Sequence, residues 1–135
     1  MKKFIGVVDI HIADTDATGV IFFPKIFEKC LSVLEKFLKE FSLDRAILQK
    51  ELFLPVIDAQ AKYFVPILPF DILDVELVIK KIGNTSITFE YKFFNKQKIL
   101  VTSAVLVHVF VDAGTREKKK IPENLHKSFS IYLEK

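Results

Sequence analysis

Apolar residues recur at helical spacing in the segment that follows Pro24, and charged residues fill the positions between them. The apolar positions are Ile26, Cys30, Val33, Leu34, Phe37, Leu38 and Phe41, and the charged positions are Lys25, Lys29, Glu35, Lys36, Lys39 and Glu40. Steps of three and four residues place the apolar side chains on one face of a helix. The pattern therefore predicts an amphipathic helix of about five turns, with Pro24 in its first turn.

Strands are predicted on both sides of this helix. Phe4–Ile12 is apolar and rich in β-branched residues. After Leu43–Leu52, which is helical or irregular, the apolar positions alternate with a period of two. The alternating stretches are Leu54–Phe64, Ile72–Lys80, Ile87–Phe93 and Ile99–Val111. The gaps after the second and third stretches are short and turn-like, which predicts an antiparallel meander.

The predicted order of elements is one strand, one long helix and then four strands. A single apolar helix stripe must be buried against the sheet, so we expect an α+β fold whose strands wrap around the helix. Alternating strand–helix units, which a doubly wound parallel sheet requires, are absent. With 135 residues, the chain is expected to form one domain over positions 1–135.

Composition and charge narrow the function classes. Half of the residues are hydrophobic and 27% are charged, which excludes a disordered chain. The net charge of +3 is too small to indicate nucleic-acid binding by itself. The first apolar run ends at Asp9, too early for a signal peptide, and the uncharged stretch Ile99–Val111 is too short for a transmembrane helix. One cysteine, Cys30, excludes an internal disulfide and fits a reducing compartment, so we expect a cytoplasmic protein without membrane insertion.

Functional-looking residues are dense only in Asp14-Thr15-Asp16-Ala17-Thr18-Gly19, between the first strand and the helix. This segment resembles the start of an EF-hand calcium loop. That loop must end in a glutamate at its twelfth position, which is Lys25 here. Calcium binding is therefore disfavoured, and we expect no metal site.

A second interpretation of the same segment is phosphoryl transfer. Asp14-Thr15-Asp16-Ala17-Thr18 resembles the D-x-D-x-T signature of haloacid-dehalogenase-like phosphatases, which would make Asp14 the nucleophile, Asp16 the acid/base and Mg²⁺ the cofactor. Asp71 and Asp74 could imitate the later acidic pair of that family. Such proteins have a doubly wound parallel sheet, which the predicted meander contradicts.

A third interpretation places a carboxylate beside a helix N-terminus. Gly19 permits a tight turn, and the helix that starts near Pro24 presents unpaired backbone amides that can polarise a carbonyl group. Asp16 would be ionised at neutral pH and could attack an acyl carbon or take a proton from water. A thioester is a suitable electrophile for both reactions.

The segment Asp14-Thr15-Asp16-Ala17-Thr18-Gly19-Val20-Ile21-Phe22-Phe23-Pro24 resembles the signature of hot-dog-fold acyl-CoA thioesterases of the 4-hydroxybenzoyl-CoA thioesterase family. Further resemblances follow in Ala61–Pro66 with Phe70-Asp71, in Ile82–Ser86 and in Lys120-Ile121-Pro122-Glu123. They extend along nearly the whole chain. The resemblance implies a long helix wrapped by five or six antiparallel strands, two such units paired edge to edge, and a homodimer or homotetramer.

The resemblance also implies roles for individual residues. Asp16 matches the catalytic carboxylate, and the backbone amide of Phe23 matches the donor that polarises the thioester carbonyl. The expected substrate contacts are Gly19, Val20, Phe22, Pro24 and Phe27, and the expected CoA contacts are Lys62, Lys81, Thr85 and Lys118. No cofactor or metal is expected, because the thioester of CoA, or of an acyl-carrier protein, is itself the substrate. Residues such as Phe22, Phe23 and Phe27 are more often core than substrate pocket, but in a thioesterase one or two of them are expected to line the acyl site. Their bulk favours an aromatic or medium-chain acyl group.

Some positions depart from the family's pattern. Many members carry an acid twelve residues after the motif glycine, where this chain has Leu31. The departure keeps open a non-catalytic module that binds acyl-CoA or an acyl carrier. The remaining candidates have simpler interpretations: Asp14 as a structural residue that accepts loop amides, Cys30 as a small core residue, His11 as a strand residue, His108 as a buried histidine and His126 as a surface residue.

Overall fold

A computed structural model describes all 135 residues and has the predicted α+β class. The helices are α1 (Lys25–Lys39), α2 (Leu43–Leu48) and α3 (Glu123–Phe129). The strands are β1 (Phe4–Asp9), β2 (Leu52–Phe53), β3 (Val56–Tyr63), β4 (Ile72–Ile82), β5 (Ser86–Phe94), β6 (Leu100–Val109) and β7 (Val111–Asp112). None of the helices is long and apolar enough to span a membrane.

Five antiparallel strands form the main sheet in the order β1-β4-β5-β6-β3. The strands β4, β5 and β6 form the predicted meander. The strand β3 does not lie next to β4, which follows it in sequence, but pairs with β6 at the far edge. A separate two-stranded sheet joins β2 to β7. The antiparallel sheet contradicts the phosphatase interpretation, which requires parallel strands and crossover helices.

The apolar stripe of α1 is buried against the sheet, as the periodicity predicted. Phe37 lies at the centre of an aromatic cluster, with its ring near those of Phe4, Phe89 and Tyr132. At Gly6 of β1, the helix approaches so closely that an added Cβ would lie 3.0 Å from Val33 Cγ1. Glycine at this position therefore lets the middle of α1 pack closely on β1.

The ends of several elements differ from the predicted ones. The helix α1 ends at Lys39 instead of near Phe41. Beyond Lys39 the backbone hydrogen bonds join residues three apart instead of four, and Ser42 adopts a left-handed backbone conformation with φ 58°. The strand β1 ends at Asp9, so His11 lies beyond it, before a single 3₁₀ turn at Ile12–Asp14. The sequence analysis missed the short helix α3.

Candidate active site

The loop between the 3₁₀ turn and α1 folds back on itself like a small hairpin. The amide of Phe22 donates to the carbonyl of Asp14 at 2.7 Å, and the amide of Asp16 donates to the carbonyl of Val20 at 3.0 Å. Gly19 adopts φ 83°, a conformation that residues with a Cβ rarely accept. The turn therefore depends on glycine, and it places Asp16 at the tip of the loop.

The carboxylate of Asp16 is exposed and accepts its hydrogen bonds from one residue. The hydroxyl and the amide of Thr18 both donate to Oδ1, the amide at 2.8 Å. Because these donors stabilise the charged form, they lower the pKa of Asp16 below its ordinary value. Asp16 is therefore ionised at neutral pH, as a nucleophile or a base must be.

The amide of Phe23 finds no acceptor within the chain. Its neighbours are paired, since Phe22 donates to Asp14 and Lys25 donates to the carbonyl of Phe22 at 2.8 Å. Phe23 immediately precedes the first turn of α1, where the helix dipole favours negative charge. An unpaired amide at this position can stabilise an oxyanion.

Asp16 and Phe23 line the same cleft, which has a volume of about 370 Å³. Its walls are mostly apolar and come from the Asp16 loop and from the end of β3 with the segment after it. They comprise Asp16, Val20, Ile21, Phe23, Tyr63, Phe64, Val65, Pro66 and Ile67. The cleft is therefore mostly apolar, and its lining includes the residue with the exposed carboxylate and the residue with the unpaired amide.

Tyr63 connects the two sides of this cleft. Its hydroxyl donates a hydrogen bond to the carbonyl of Phe23, and burial raises the pKa of the phenol. The sequence analysis missed this residue as a site residue. The signal in the sequence is the Ala61–Pro66 resemblance, which supports the family but assigns no role to Tyr63.

The expected substrate contacts divide into two groups. Val20 lines the cleft, whereas Gly19, Phe22, Pro24 and Phe27 are not among its lining residues. The interpretation of Phe22 and Phe23 as core residues is wrong, because they are 46% and 63% exposed. Their rings meet edge to face at 5.5 Å, and Phe27 is half-buried against the core.

The expected CoA contacts do not lie together in one copy of the chain. Lys62 precedes Tyr63 on the exposed edge strand β3, near the cleft. Lys81 and Thr85 flank the turn between β4 and β5, at the opposite end of the sheet from Tyr63. An isolated antiparallel β-bridge pairs Lys118 with Val111 near that same opposite end.

Asp14 is a buried residue behind the loop. Its carboxylate accepts the amide of His11 at 2.8 Å and pairs with Lys29 of α1 at 2.8 Å. Burial acts to raise the pKa of Asp14, but the hydrogen bonds and charge of Lys29 and the amide of His11 outweigh it and lower the pKa. The expected bond to a loop amide is present, and the ion pair to the helix is an addition.

The other singled-out residues lie outside the cleft. Cys30 is buried on the core side of α1, and burial raises the pKa of its thiol strongly. His11 and His126 are exposed. His108 is buried and its Nδ1 lies 2.9 Å from the carbonyl of Leu54, but its Nε2 has no partner. Leu31 is exposed on α1.

Comparisons with known proteins agree with this architecture. A model of the thioesterase-like superfamily matches residues 10–129. A 1,4-dihydroxy-2-naphthoyl-CoA hydrolase of Prochlorococcus marinus (strain NATL1A) is 31% identical over 136 aligned positions, covering 88% of this chain and 87% of that protein. The crystal structure of a 1,4-dihydroxy-2-naphthoyl-CoA thioesterase from Synechocystis has a TM-score of 0.84 at 23% identity, with 96% of each chain covered. A hypothetical protein of Staphylococcus aureus, solved in complex with CoA, has a TM-score of 0.86 at 12% identity, covering 99% of this chain and 87% of that one.

Proposed function

Because the chain belongs to the thioesterase-like superfamily, we propose that it hydrolyses an acyl-CoA thioester through Asp16 and the amide of Phe23. Its long helix, wrapped by a five-stranded antiparallel sheet, is the hot-dog fold that the sequence resemblance implied. One observation carries the proposal: Asp16, whose carboxylate is ionised, and Phe23, whose backbone amide is unpaired just before α1, line one apolar cleft.

The amide of Phe23 supplies electrostatic stabilisation in this proposal. It donates to the thioester oxygen, and the bond strengthens as the oxygen becomes an oxyanion. One donor of this kind is typically worth about 3–4 kcal/mol of transition-state stabilisation. The dipole of α1 adds to the effect because Phe23 lies just before the N-terminal end of the helix.

Asp16 acts on the acyl carbon by one of two routes. As a nucleophile, its carboxylate attacks the carbonyl carbon, the C–S bond breaks, CoA leaves as a thiolate, and water hydrolyses the mixed anhydride. As a general base, it takes a proton from water while that water attacks the carbonyl carbon, and the tetrahedral intermediate expels the thiolate, which takes the proton that Asp16 holds. Both routes yield one carboxylic acid and one CoA thiol, and both leave Asp16 unchanged.

An aromatic acyl group is the substrate class that we propose. The cleft wall is apolar and includes the rings of Phe23, Tyr63 and Phe64, against which a planar group can stack. The relative from Prochlorococcus marinus is named for a dihydroxynaphthoyl thioester. CoA is the carrier that we propose, and the CoA complex of the S. aureus protein, which has a similar fold, supports that choice.

A second copy of the chain would complete the site. The edge strand β3 is exposed along nearly its whole length and leaves one row of backbone groups unpaired. Antiparallel pairing of two such edges would bring the Val56 end of one strand beside the Tyr63 end of the other. The ends that carry Lys81, Thr85 and Lys118 would then approach the cleft of the neighbouring copy.

A non-catalytic acyl-CoA or acyl-carrier binding module is the second candidate. Leu31 favours it, because many family members carry an acid at this position and Leu31 is exposed on α1 without a charge to offer. Such a module would bind an acyl-CoA without releasing a thiol.

The test is thiol release from benzoyl-, 1,4-dihydroxy-2-naphthoyl-, short-chain and long-chain acyl-CoA, with and without a chelator. We expect chelator-resistant turnover that Asp16→Asn lowers by at least about 100-fold. Asp74→Asn is the matched control, because Asp74 is an exposed aspartate on β4 that does not line the cleft. Binding without thiol release would favour the second candidate, and full turnover in folded Asp16→Asn would remove Asp16 from the mechanism.

A further inference from the structure

The buried carboxylate of Asp14 is joined to three parts of the molecule. Only 8% of the residue is exposed. Its Oδ2 accepts the amide of His11, in the segment that leaves β1, and pairs with Nζ of Lys29, on the second turn of α1. Its backbone carbonyl accepts the amide of Phe22 at 2.7 Å. The segment after β1, the helix α1 and the loop therefore meet at one residue.

The partner Lys29 is itself largely covered. Its side chain is 15% exposed, and its Nζ lies 2.8 Å from Asp14 Oδ2. The neighbouring pair of Lys25 and Glu28 is much more open, with the Glu28 side chain 65% exposed. A covered pair with a short charge-assisted bond holds its geometry better than an exposed one, because solvent screens it less.

The two groups of the proposed mechanism, the carboxylate of Asp16 and the amide of Phe23, both lie close in sequence to residues that Asp14 holds in place. Asp16 follows Asp14 by two residues, and Phe23 follows Phe22, whose amide is bound to Asp14. The antiparallel bridge between Thr15 and Ile21 continues the same hairpin. A shift of Asp14 relative to α1 would therefore move Asp16 relative to the amide of Phe23.

We propose that Asp14 and Lys29 are positioning residues, whose ion pair fixes the Asp16 loop against the N-terminus of α1. This inference rests on the proposed thioesterase function for its kinetic consequence, but not for its structural one. Neither side chain lines the cleft. The pair therefore sets the rate of the chemical step and leaves substrate binding nearly unchanged.

The experiment compares Asp14→Asn, Lys29→Met and Lys29→Arg with the wild-type chain. Asn at position 14 keeps an acceptor for the His11 amide, and Met at position 29 keeps the length of the apolar stem. For the first two variants we expect kcat to fall about 10- to 100-fold, because small displacements of reacting groups are costly, and KM to stay within about twofold. Lys29→Arg retains the positive charge and should keep most of the wild-type kcat.

Two further measurements separate positioning from general loss of structure. The double variant Asp14→Asn/Lys29→Met should lose little more than either single variant, because both remove the same pair. The variant Lys3→Met removes the ion pair between Lys3 and Glu76, in which Nζ and Oε1 lie 3.0 Å apart and neither residue lines the cleft. It should keep the full kcat.

Amide hydrogen exchange at Phe22, followed by NMR, provides a readout that does not depend on turnover. The proposal predicts faster exchange at Phe22 in Asp14→Asn and Lys29→Met, with core amides of β5 unchanged. Unchanged Phe22 exchange in these two variants, a parallel rise in KM, or no rescue by Lys29→Arg would overturn it. If the wild-type chain releases no thiol from any thioester, the proposed function fails, and the exchange result alone decides whether the pair positions the loop.

Discussion

The hydroxyl of Tyr63 donates a hydrogen bond to the backbone carbonyl of Phe23, across 40 positions of the sequence. Tyr63 is the last residue of the edge strand β3, and Phe23 lies just before α1. The bond joins the two walls of the cleft. It also restrains the residue whose amide is free to bind the thioester oxygen in the proposed mechanism.

Tyr63→Phe should therefore lower kcat by about 5- to 10-fold, because one neutral hydrogen bond contributes roughly 1 kcal/mol. Steady-state kinetics on the best thioester would measure the change. Tyr91→Phe is the matched control, since the Tyr91 hydroxyl is buried without a hydrogen-bond partner and its removal breaks no bond. Equal losses in the two variants would contradict the role of Tyr63.

The low pKa of Asp16 should depend on Thr18, whose hydroxyl and amide both donate to the carboxylate. Thr18→Val removes the hydroxyl and keeps the amide, so the pKa of Asp16 should rise toward the ordinary value of 3.8. The acid limb of the pH profile of kcat/KM should also shift to higher pH, because Asp16 must be ionised to react.

An NMR titration of the Asp16 carboxyl carbon would measure this shift directly. Asp112 provides an internal control, because amides of Thr115 and Gly114 lower its pKa independently of Thr18. An unchanged Asp16 titration in Thr18→Val would show that the hydroxyl does not set this pKa.

Periodicity predicted most of the fold because it reports which face of an element is buried. The apolar stripe predicted α1 and its buried face, and the alternation predicted the meander of β4, β5 and β6. Together they predicted the correct fold class. Strand order carries no such signal, so the position of β3 at the far edge was not predicted. The helix α3 was missed because its seven residues contain only two buried apolar positions, Leu125 and Phe129.

The candidate site was predicted only where its residues are adjacent in sequence. Asp16 and Phe23 lie within one motif, and the structure brings them to one cleft. Tyr63 binds a backbone carbonyl, which leaves no complementary side chain for a sequence pattern to reveal. Lys29 lies 15 positions after Asp14, a spacing that matches no helix or strand repeat. Such contacts follow from tertiary packing alone.

Buried His108 should make the fold less stable in mild acid. Burial lowers its pKa from the ordinary value of 6.5, although the bond to the Leu54 carbonyl opposes this. As the pH falls from 6.5 toward the lowered pKa of the folded state, the unfolded chain takes up a proton at this histidine that the folded chain does not. The free energy of unfolding should therefore fall as the pH drops, by at most about 1.4 kcal/mol per pH unit from this group.

Denaturant unfolding of the wild-type chain and of His108→Gln between neutral and mildly acidic pH would measure this contribution. The variant should be less stable at neutral pH and should lose less stability on acidification. The exposed His126, changed to Gln, is the control. If the difference in the free energy of unfolding between the wild-type chain and His108→Gln does not vary with pH, the prediction is wrong.

The close contact between Gly6 and Val33 should make Gly6→Ala destabilising. The new Cβ would meet Val33 Cγ1 at 3.0 Å and Cγ2 at 3.1 Å, and overpacking of this kind costs about 1–3 kcal/mol. In Gly6→Ala/Val33→Ala the clash is relieved, so the double variant should lose less than the sum of the two singles. Thermal unfolding of the two single variants and the double variant would measure the coupling. Additive losses would mean that Val33 moves aside freely.

The exposed edge strand β3 should hold the proposed second copy of the chain. Ile57 lies at an irregularity in the pairing of β3 with β6 and is 62% exposed in one copy. A charge at this position would be buried between the copies, so Ile57→Lys should weaken self-association by at least about 10-fold, since an unpaired buried charge costs more than the 1.4 kcal/mol that tenfold represents. Turnover should fall with it, because the proposed CoA contacts come from the neighbouring copy.

Sedimentation velocity over a range of concentrations would measure the association, and thiol release would be followed on the same samples. Leu48→Lys is the matched control, because Leu48 is a 79% exposed apolar residue on α2, away from β3. It should leave both association and turnover unchanged. If Ile57→Lys sediments like the wild-type chain, β3 is not the interface. If it becomes monomeric with full turnover, each copy carries a complete site, and Lys81, Thr85 and Lys118 do not contribute to a neighbouring cleft.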